Sequence, residues 1–240
     1  MDNLHSDQHI SHQFNEDLEK LKTSLMEMGG LVEDQLSCVI RAIETGDCEL
    51  AEKALVTEDK IDEYELNIDR RIMAILAKRQ PAASDLRLVM TVSKAIRDLE
   101  RMGDESTKIA RMVIALSKEG VVKRGSSELR HMANNVQKIV RVALDAFAHG
   151  DVYEAIKVVR DDEDIDVEYQ SAMREMMTYM MEDPRQITRV MHVLWVLRSL
   201  ERIGDHARNI AEQVIYLVRG MDIRRTSLSD VEKELKKKGK

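Results

Sequence analysis

Two prolines, two cysteines and an aromatic content of 3% in 240 residues exclude more than they permit. Sheets draw on ring-bearing and β-branched side chains. A chain this poor in rings, dominated by Leu, Ile, Val, Ala and Met and 34% charged, therefore reads as all-α, built from long amphipathic helices. Cys38 and Cys48 lack metal-ligand spacing. No secretory signal precedes them, and no apolar run approaches the roughly 18 to 20 residues of a spanning helix, so the expectation is a soluble, cytoplasmic protein. No nucleotide loop, nucleophile arrangement or strip of alternating aromatic and basic residues is found. A net charge of −7 also argues against a general grip on nucleic acid, so any contact with DNA would be indirect.

What the chain does have is a repeat. Leu99-Glu100-Arg101-Met102-Gly103-Asp104 returns as Leu200-Glu201-Arg202-Ile203-Gly204-Asp205, an offset of 101, and the phrase runs on to Ile109-Ala110 and Ile210-Ala211. Upstream the offset is 104. Gly46-Asp47 matches Gly150-Asp151, Glu58 to Asp62 match Asp162 to Asp166, and Met28, Val32 and Leu36 match Met132, Val136 and Val140. Two homologous units follow. The drop from 104 to 101 gives the first unit about three extra residues near Pro81, where a loop tolerates them. Pro81 and Pro184 each fall between the two acidic phrases of their own half.

Caps and breakers divide each half into three helices. The first runs from about Asp7 to Thr45 and stops at Gly46; the second starts at an Asp47 cap and ends before Pro81; the third starts near Ser84-Asp85 and fades after Leu116. The second half repeats this over about 127–148, 151–182 and 185–219, with Asp183 capping ahead of Pro184 and Gly220 closing the last helix. Short connections make antiparallel neighbours, so the expectation is two tandem, elongated three-helix bundles, residues 7–120 and 121–220. Residues 1–6 read as a disordered start, and 221–240 as a basic, flexible tail ending in Lys236-Lys237-Lys238.

With 44 acidic residues, random placement alone gives roughly eight acidic pairs four apart, so such a pair means little by itself. Four of them at equivalent repeat positions mean more: Glu58/Asp62, Glu100/Asp104, Asp162/Asp166 and Glu201/Asp205. Residues four apart on a helix stand about 5 to 6 Å apart on one face. Like charges held that close call for a cation, and oxygen ligands suit Mg, Mn or Fe, with Zn also possible. At 100° per residue Leu200, Gly204, Ala207, Ala211 and Val214 form a core stripe, and Arg198, Glu201, Asp205 and Asn209 a second arc beside it. The competing reading is a solvated acidic face neutralised by Arg97 and Arg198. Gly103 and Gly204 cost about 1 kcal/mol each relative to alanine in mid-helix, so something approaches closely there, either a ligand or a packed helix.

The paired L-E-R-[MI]-G-D phrases, each preceded by an acidic phrase on the previous helix, resemble the PhoU family of bacterial phosphate-uptake regulators over about residues 10–220. The resemblance implies a non-enzymatic cytoplasmic negative regulator, a homodimer that links the ATPase of the phosphate ABC transporter to a sensor histidine kinase and meets the membrane only through these partners. It also implies metal sites on E/D-x-x-x-D motifs, carried here by Glu58, Asp62, Glu100 and Asp104 and by Asp162, Asp166, Glu201 and Asp205. Asp162 departs from its counterpart Glu58 in length, which bears on reach and metal content.

Other readings stand beside this one. A metal-free helical scaffold uses the same residues without an ion. A di-iron carboxylate enzyme needs two E-x-x-H phrases, and only Glu128-Leu-Arg-His131 fits. His206 follows Asp205, but its repeat partner is Glu105, so it reads as an incidental histidine on the surface or beside the acidic site rather than a phosphotransfer group. Trp195 and the stripe of Met176, Met177, Met180 and Met181 read as packing and contact surface.

Overall fold

In the computed structural model the chain is described over residues 2–119 and 126–224. Six long helices make up nearly all of it: α1 (Asp2–Thr45), α2 (Cys48–Arg79), α3 (Ala83–Glu119), α4 (Ser126–His149), α5 (Val152–Glu182) and α6 (Ile187–Arg219). One 3₁₀ turn, Pro184–Gln186, precedes α6, and no strand occurs among the described residues.

Local chemistry explains the boundaries. α1 and α4 end where Gly46 and Gly150 adopt φ of 73° and 65°, a left-handed conformation that costs glycine nothing. The next residue in each copy then caps the following helix. Asp47 Oδ1 accepts from the Glu49 amide at 2.8 Å, and Asp151 Oδ1 from the amides of Tyr153 and Glu154 at 2.9 and 3.1 Å. Residues 79 and 83 map onto 183 and 184 by the two offsets, so the three extra residues are the α2–α3 linker itself, 80–82.

Two expectations change. α1 starts at Asp2 rather than near Asp7, because no proline or glycine interrupts the chain before Gly29. Asp183 does cap, accepting from the Arg185 amide at 3.2 Å, but what it caps is the 3₁₀ turn, and α6 proper begins two residues beyond the expected start. Of the anticipated join at 121–126 only Ser126 is described, as the first residue of α4. Of the anticipated tail only 221–224 are, and Ile223 there is buried.

Within each half three helices pack against one another: α1, α2 and α3 in the first, α4, α5 and α6 in the second. The halves join mainly along α3 and α6, with α1 also against α4. One continuous core results, from Leu25, Met28 and Leu99 on one side to Met132, Phe147 and Leu200 on the other. Each such side chain contributes about 1.5–3 kcal/mol when fully buried.

The α3–α6 seam carries polar bonds inside that apolar frame. Asp98 faces His206, Glu105 faces Ser199 and Met112 faces His192, so the helices run antiparallel. The offset of 101 maps Asp98 onto Ser199 and Glu105 onto His206. The Glu105–Ser199 and His206–Asp98 bonds are therefore one contact made twice, about an approximate two-fold axis. Glu105, 3% exposed, accepts from Ser199 Oγ at 2.8 Å, Lys108 Nζ at 2.9 Å and Arg202 Nε at 3.2 Å. His206 Nδ1 lies 2.9 Å from Asp98 Oδ1, which also accepts from Asn209 at 3.0 Å. His206 is thus a buried seam residue rather than an incidental one.

Replacing Ser199 by Ala leaves Glu105 Oε2 without its buried donor, and stability should fall by about 1–3 kcal/mol. The change should appear as a lower urea midpoint at unchanged slope. A midpoint equal to wild type would mean that the seam draws nothing from this bond.

Candidate functional site

Helical spacing places the acidic pairs, and antiparallel packing brings them together. In the first half Glu58 and Asp62 lie on α2, Glu100 and Asp104 on α3, and all four are exposed or half-buried. Burial pushes the carboxyls of Glu58, Asp62 and Glu100 above their ordinary range, and the charge of Asp104 adds to each. The expected quartet is therefore one electrostatic unit across two helices.

Two more carboxylates belong to it. Glu65 is raised by burial and by Asp69, Asp62 and Asp104, with Arg97 opposing. The sequence held the signal, because 58, 62, 65 and 69 step by four, three and four along one helical face. Arg97 opposes the rise of Glu65, and Arg101 opposes that of Glu100.

The second half differs. Asp166 and Glu201 are half-buried and Asp205 is exposed, but Asp162 is 1% exposed. Glu201 and Asp205 are raised, first by burial and then by Asp205 and Asp166 respectively. The positions matching Glu65 and Asp69 are Tyr169 and Met173, so the second face has four carboxylates where the first has six. The Tyr169 hydroxyl accepts from the Arg198 guanidinium and, with the Glu201 carboxylate, favours its charged form.

Asp162 sits beneath the repeated glycine. A Cβ on Gly204 would lie 2.9 Å from Asp162 Oδ1, which explains a mid-helix glycine at that point: it admits a buried carboxylate. A Cβ on Gly103 would meet Ile61 Cδ1 at 3.2 Å and Gln35 Oε1 at 3.4 Å instead. Gly204 therefore makes room for a carboxylate, whereas Gly103 makes room chiefly for Ile61, with the Gln35 amide beside it. Gln35 donates to the Ala54 carbonyl at 3.0 Å and to Thr107 Oγ1 at 3.2 Å, a neutral arrangement. In the second half Arg208, which replaces Thr107, approaches Asp162 Oδ2 at 3.6 Å and Glu212 Oε1 at 3.3 Å. Asp162 Oδ2 has no hydrogen-bond partner. Its carboxyl is pushed up to about 7 by burial and by the charges of Asp205 and Asp166, against Arg208.

Among the described residues no three His, Cys, Asp or Glu side chains form a ready-made metal cage. The donor set still fits a hard or intermediate cation. Its members are all carboxylates, neighbouring carboxylates add to the rise of Glu58, Asp62, Glu100, Asp162, Glu201 and Asp205, and one buried oxygen of Asp162 lacks a hydrogen-bond donor. His131 does not join either face. It is exposed and lies 3.3 Å from Glu168 Oε1, so the E-x-x-H phrase brings no histidine to the carboxylates. Of the methionine stripe Met176 is buried and Met177 and Met181 are exposed; on α6 Trp195 is 53% exposed.

A raised carboxyl holds its proton more tightly folded than unfolded, so stability falls as pH rises from the unfolded value towards the folded one. For Asp162 that window runs from 3.8 to about 7, and Glu201 and Asp205 act in the same direction. In metal-free protein Asp162→Asn should remove up to roughly 4 kcal/mol of this pH dependence. Urea midpoints taken between about pH 4 and pH 8 would show it. A wild-type slope in the variant would dismiss Asp162 as its source.

The chain is similar in sequence and fold to known proteins. The PhoU domain model matches twice, at residues 25–113 and 129–214. The chain is 52% identical over 227 residues to the phosphate-specific transport system accessory protein PhoU homolog of Pseudomonas aeruginosa, covering 95% of this chain and 94% of that one. It is 42% identical over 235 residues to the phosphate-specific transport system accessory protein PhoU of Escherichia coli, covering 98% and 97%. The crystal structure of PhoU from Pseudomonas aeruginosa superimposes with a TM-score of 0.85 at 53% identity, over 87% of this chain and 100% of that one. The phosphate transport system regulatory protein PhoU from Streptococcus pneumoniae gives 0.80 at 29% identity, over 87% and 98%.

Proposed function

The chain belongs to the PhoU family, accessory proteins of the phosphate-specific transport system, and from that premise we propose that it is a non-enzymatic negative regulator of phosphate uptake and of the phosphate-starvation response. In this reading it is a cytoplasmic homodimer. It joins the ATPase of the phosphate ABC transporter to the sensor histidine kinase of the phosphate two-component system, and it reaches membrane and DNA only through such partners. Relatives matched over almost their whole length support it, as does the lack of any helix, among the described residues, long and apolar enough to cross a membrane.

The observation that carries the chemical half is the pair of acidic faces, on which burial and neighbouring carboxylates push Glu100 and Glu201 upward. We assign Glu58, Asp62, Glu100 and Asp104 to one metal site and Asp162, Asp166, Glu201 and Asp205 to another, for Mg, Mn, Fe or Zn. A bound cation would cancel the repulsion that now favours protons there. Because Asp162 is buried behind Gly204 and shared with Arg208, the second site relies chiefly on Asp166, Glu201 and Asp205. The metal-free scaffold is the alternative, and the Arg208 pairing of Asp162 is what favours it locally.

One experiment addresses both halves: a deletion strain complemented with wild type, Asp104→Asn, Asp205→Asn or the double variant, with metal content measured on each purified protein. The deletion should derepress starvation genes in phosphate-rich medium and wild type should silence them. Each single variant should lose metal from its own half only, because separated sites act nearly independently. Silent genes in the deletion strain would overturn the regulatory reading. Unchanged metal in all variants would leave the scaffold.

A further inference from the structure

Among the described residues the acidic faces have a basic counterpart elsewhere in the first half. Between α1 and the C-terminal end of α2 lies an open cleft of about 400 Å³, lined by Lys20, Arg71, Lys78 and Arg79 with Asp17 as its one carboxylate. Arg71 Nη1 donates to Ser24 Oγ at 2.7 Å, which holds its guanidinium over the cleft wall. Arg79 Nη2 meets Asp17 Oδ2 at 3.4 Å, while Arg79 Nε is buried with no hydrogen-bond partner. Lys20 approaches Glu16 at 3.7 Å on the solvent side, and Lys78 makes no ion pair among the described residues.

The internal repeat gives this cluster a built-in control. The offset of 104 maps Arg71, Lys78 and Arg79 onto Glu175, Glu182 and Asp183. The same place in the same fold is thus basic in one half and acidic in the other, so helix packing does not demand the cations. Nor does the helix dipole demand them, since α5 ends without a basic residue in its last turn. Four cations around one carboxylate, with a buried N–H left over, are an arrangement that a multiply charged oxyanion would complete.

We propose that this cleft binds a phosphate group, either as orthophosphate or on a phosphate ester. The forks of Arg71 and Arg79 would bond its oxygens, Lys20 and Lys78 would supply point charge, and the anion would displace Asp17 from Arg79. The site is separate from the acidic faces and independent of whether they hold metal.

Calorimetry on the full chain at fixed ionic strength would test it, with inorganic phosphate and adenosine monophosphate as probes. Binding of either supports the proposal, and the tighter of the two identifies the source. Arg71→Gln or Arg79→Gln should weaken binding about tenfold or more, whereas Lys53→Gln, an equal charge change elsewhere on α2, should not. Asp17→Asn should tighten binding, an outcome that a misfolded variant would not mimic. Affinity should also fall with added chloride. No binding of either probe at millimolar concentration would overturn the proposal, as would equal affinity in the arginine variants. Loss of binding in Asp104→Asn or Asp205→Asn, with the arginine variants unaffected, would place the phosphate on a metal at the acidic faces and overturn it too.

Discussion

The antiparallel contact of α3 with α6 is the constraint on which the rest depends. Each of these helices is at once the central wall of its own bundle and half of the wall between bundles, so three of its faces are occupied. Core residues such as Leu99 and Leu200 fill one face, Glu105 and His206 with their partners fill the seam, and only the arc of Glu100/Asp104 or Glu201/Asp205 is left to meet α2 or α5 near solvent. The acidic pairs stand where they do because no other face of the helix was free.

That geometry turns a modest local cost into a cooperative one. A single pair of carboxylates four apart on an exposed helix disfavours folding by a few tenths of a kcal/mol. Two pairs on packed helices, half withdrawn from water, push Glu100 and Glu201 upward through burial and neighbouring charge together. Protons, a cation or an arginine can relieve the strain. The second half has taken the arginine for Asp162, whereas the first keeps Glu58 near the surface with only the Thr107 hydroxyl and the Arg111 charge opposing the rise.

Much of this was legible in the residues. Gly46-Asp47 and Gly150-Asp151 announced helix ends because positive φ and an aspartate cap are local properties that need no tertiary context. The eight carboxylates were legible because repetition separates a kept pattern from chance spacing. Glu65 and Asp69 were equally legible by spacing, yet they lack counterparts in the second half and a search built on the repeat passes over them. His206 was beyond reach for another reason. Its role depends on Asp98, 108 residues away, and nothing in one helix tells which helix will face it. The depth of Asp162 was hidden likewise, since only the meeting of Gly204 with α5 shows that the shorter side chain fills a notch rather than reaching for the surface.

The scarcity of aromatic residues leaves the chain with one indole, and it lies on the outside. Trp195 shares its exposed side of α6 with Ile187 and Met191, eight and four residues before it. Indole emission follows the polarity of its surroundings, so the fluorescence of this protein reports on what covers a patch of surface and hardly at all on the state of the core. An unlabelled sample therefore carries an optical probe of docking at one end of its second bundle, and the same property makes it a poor gauge of its own unfolding.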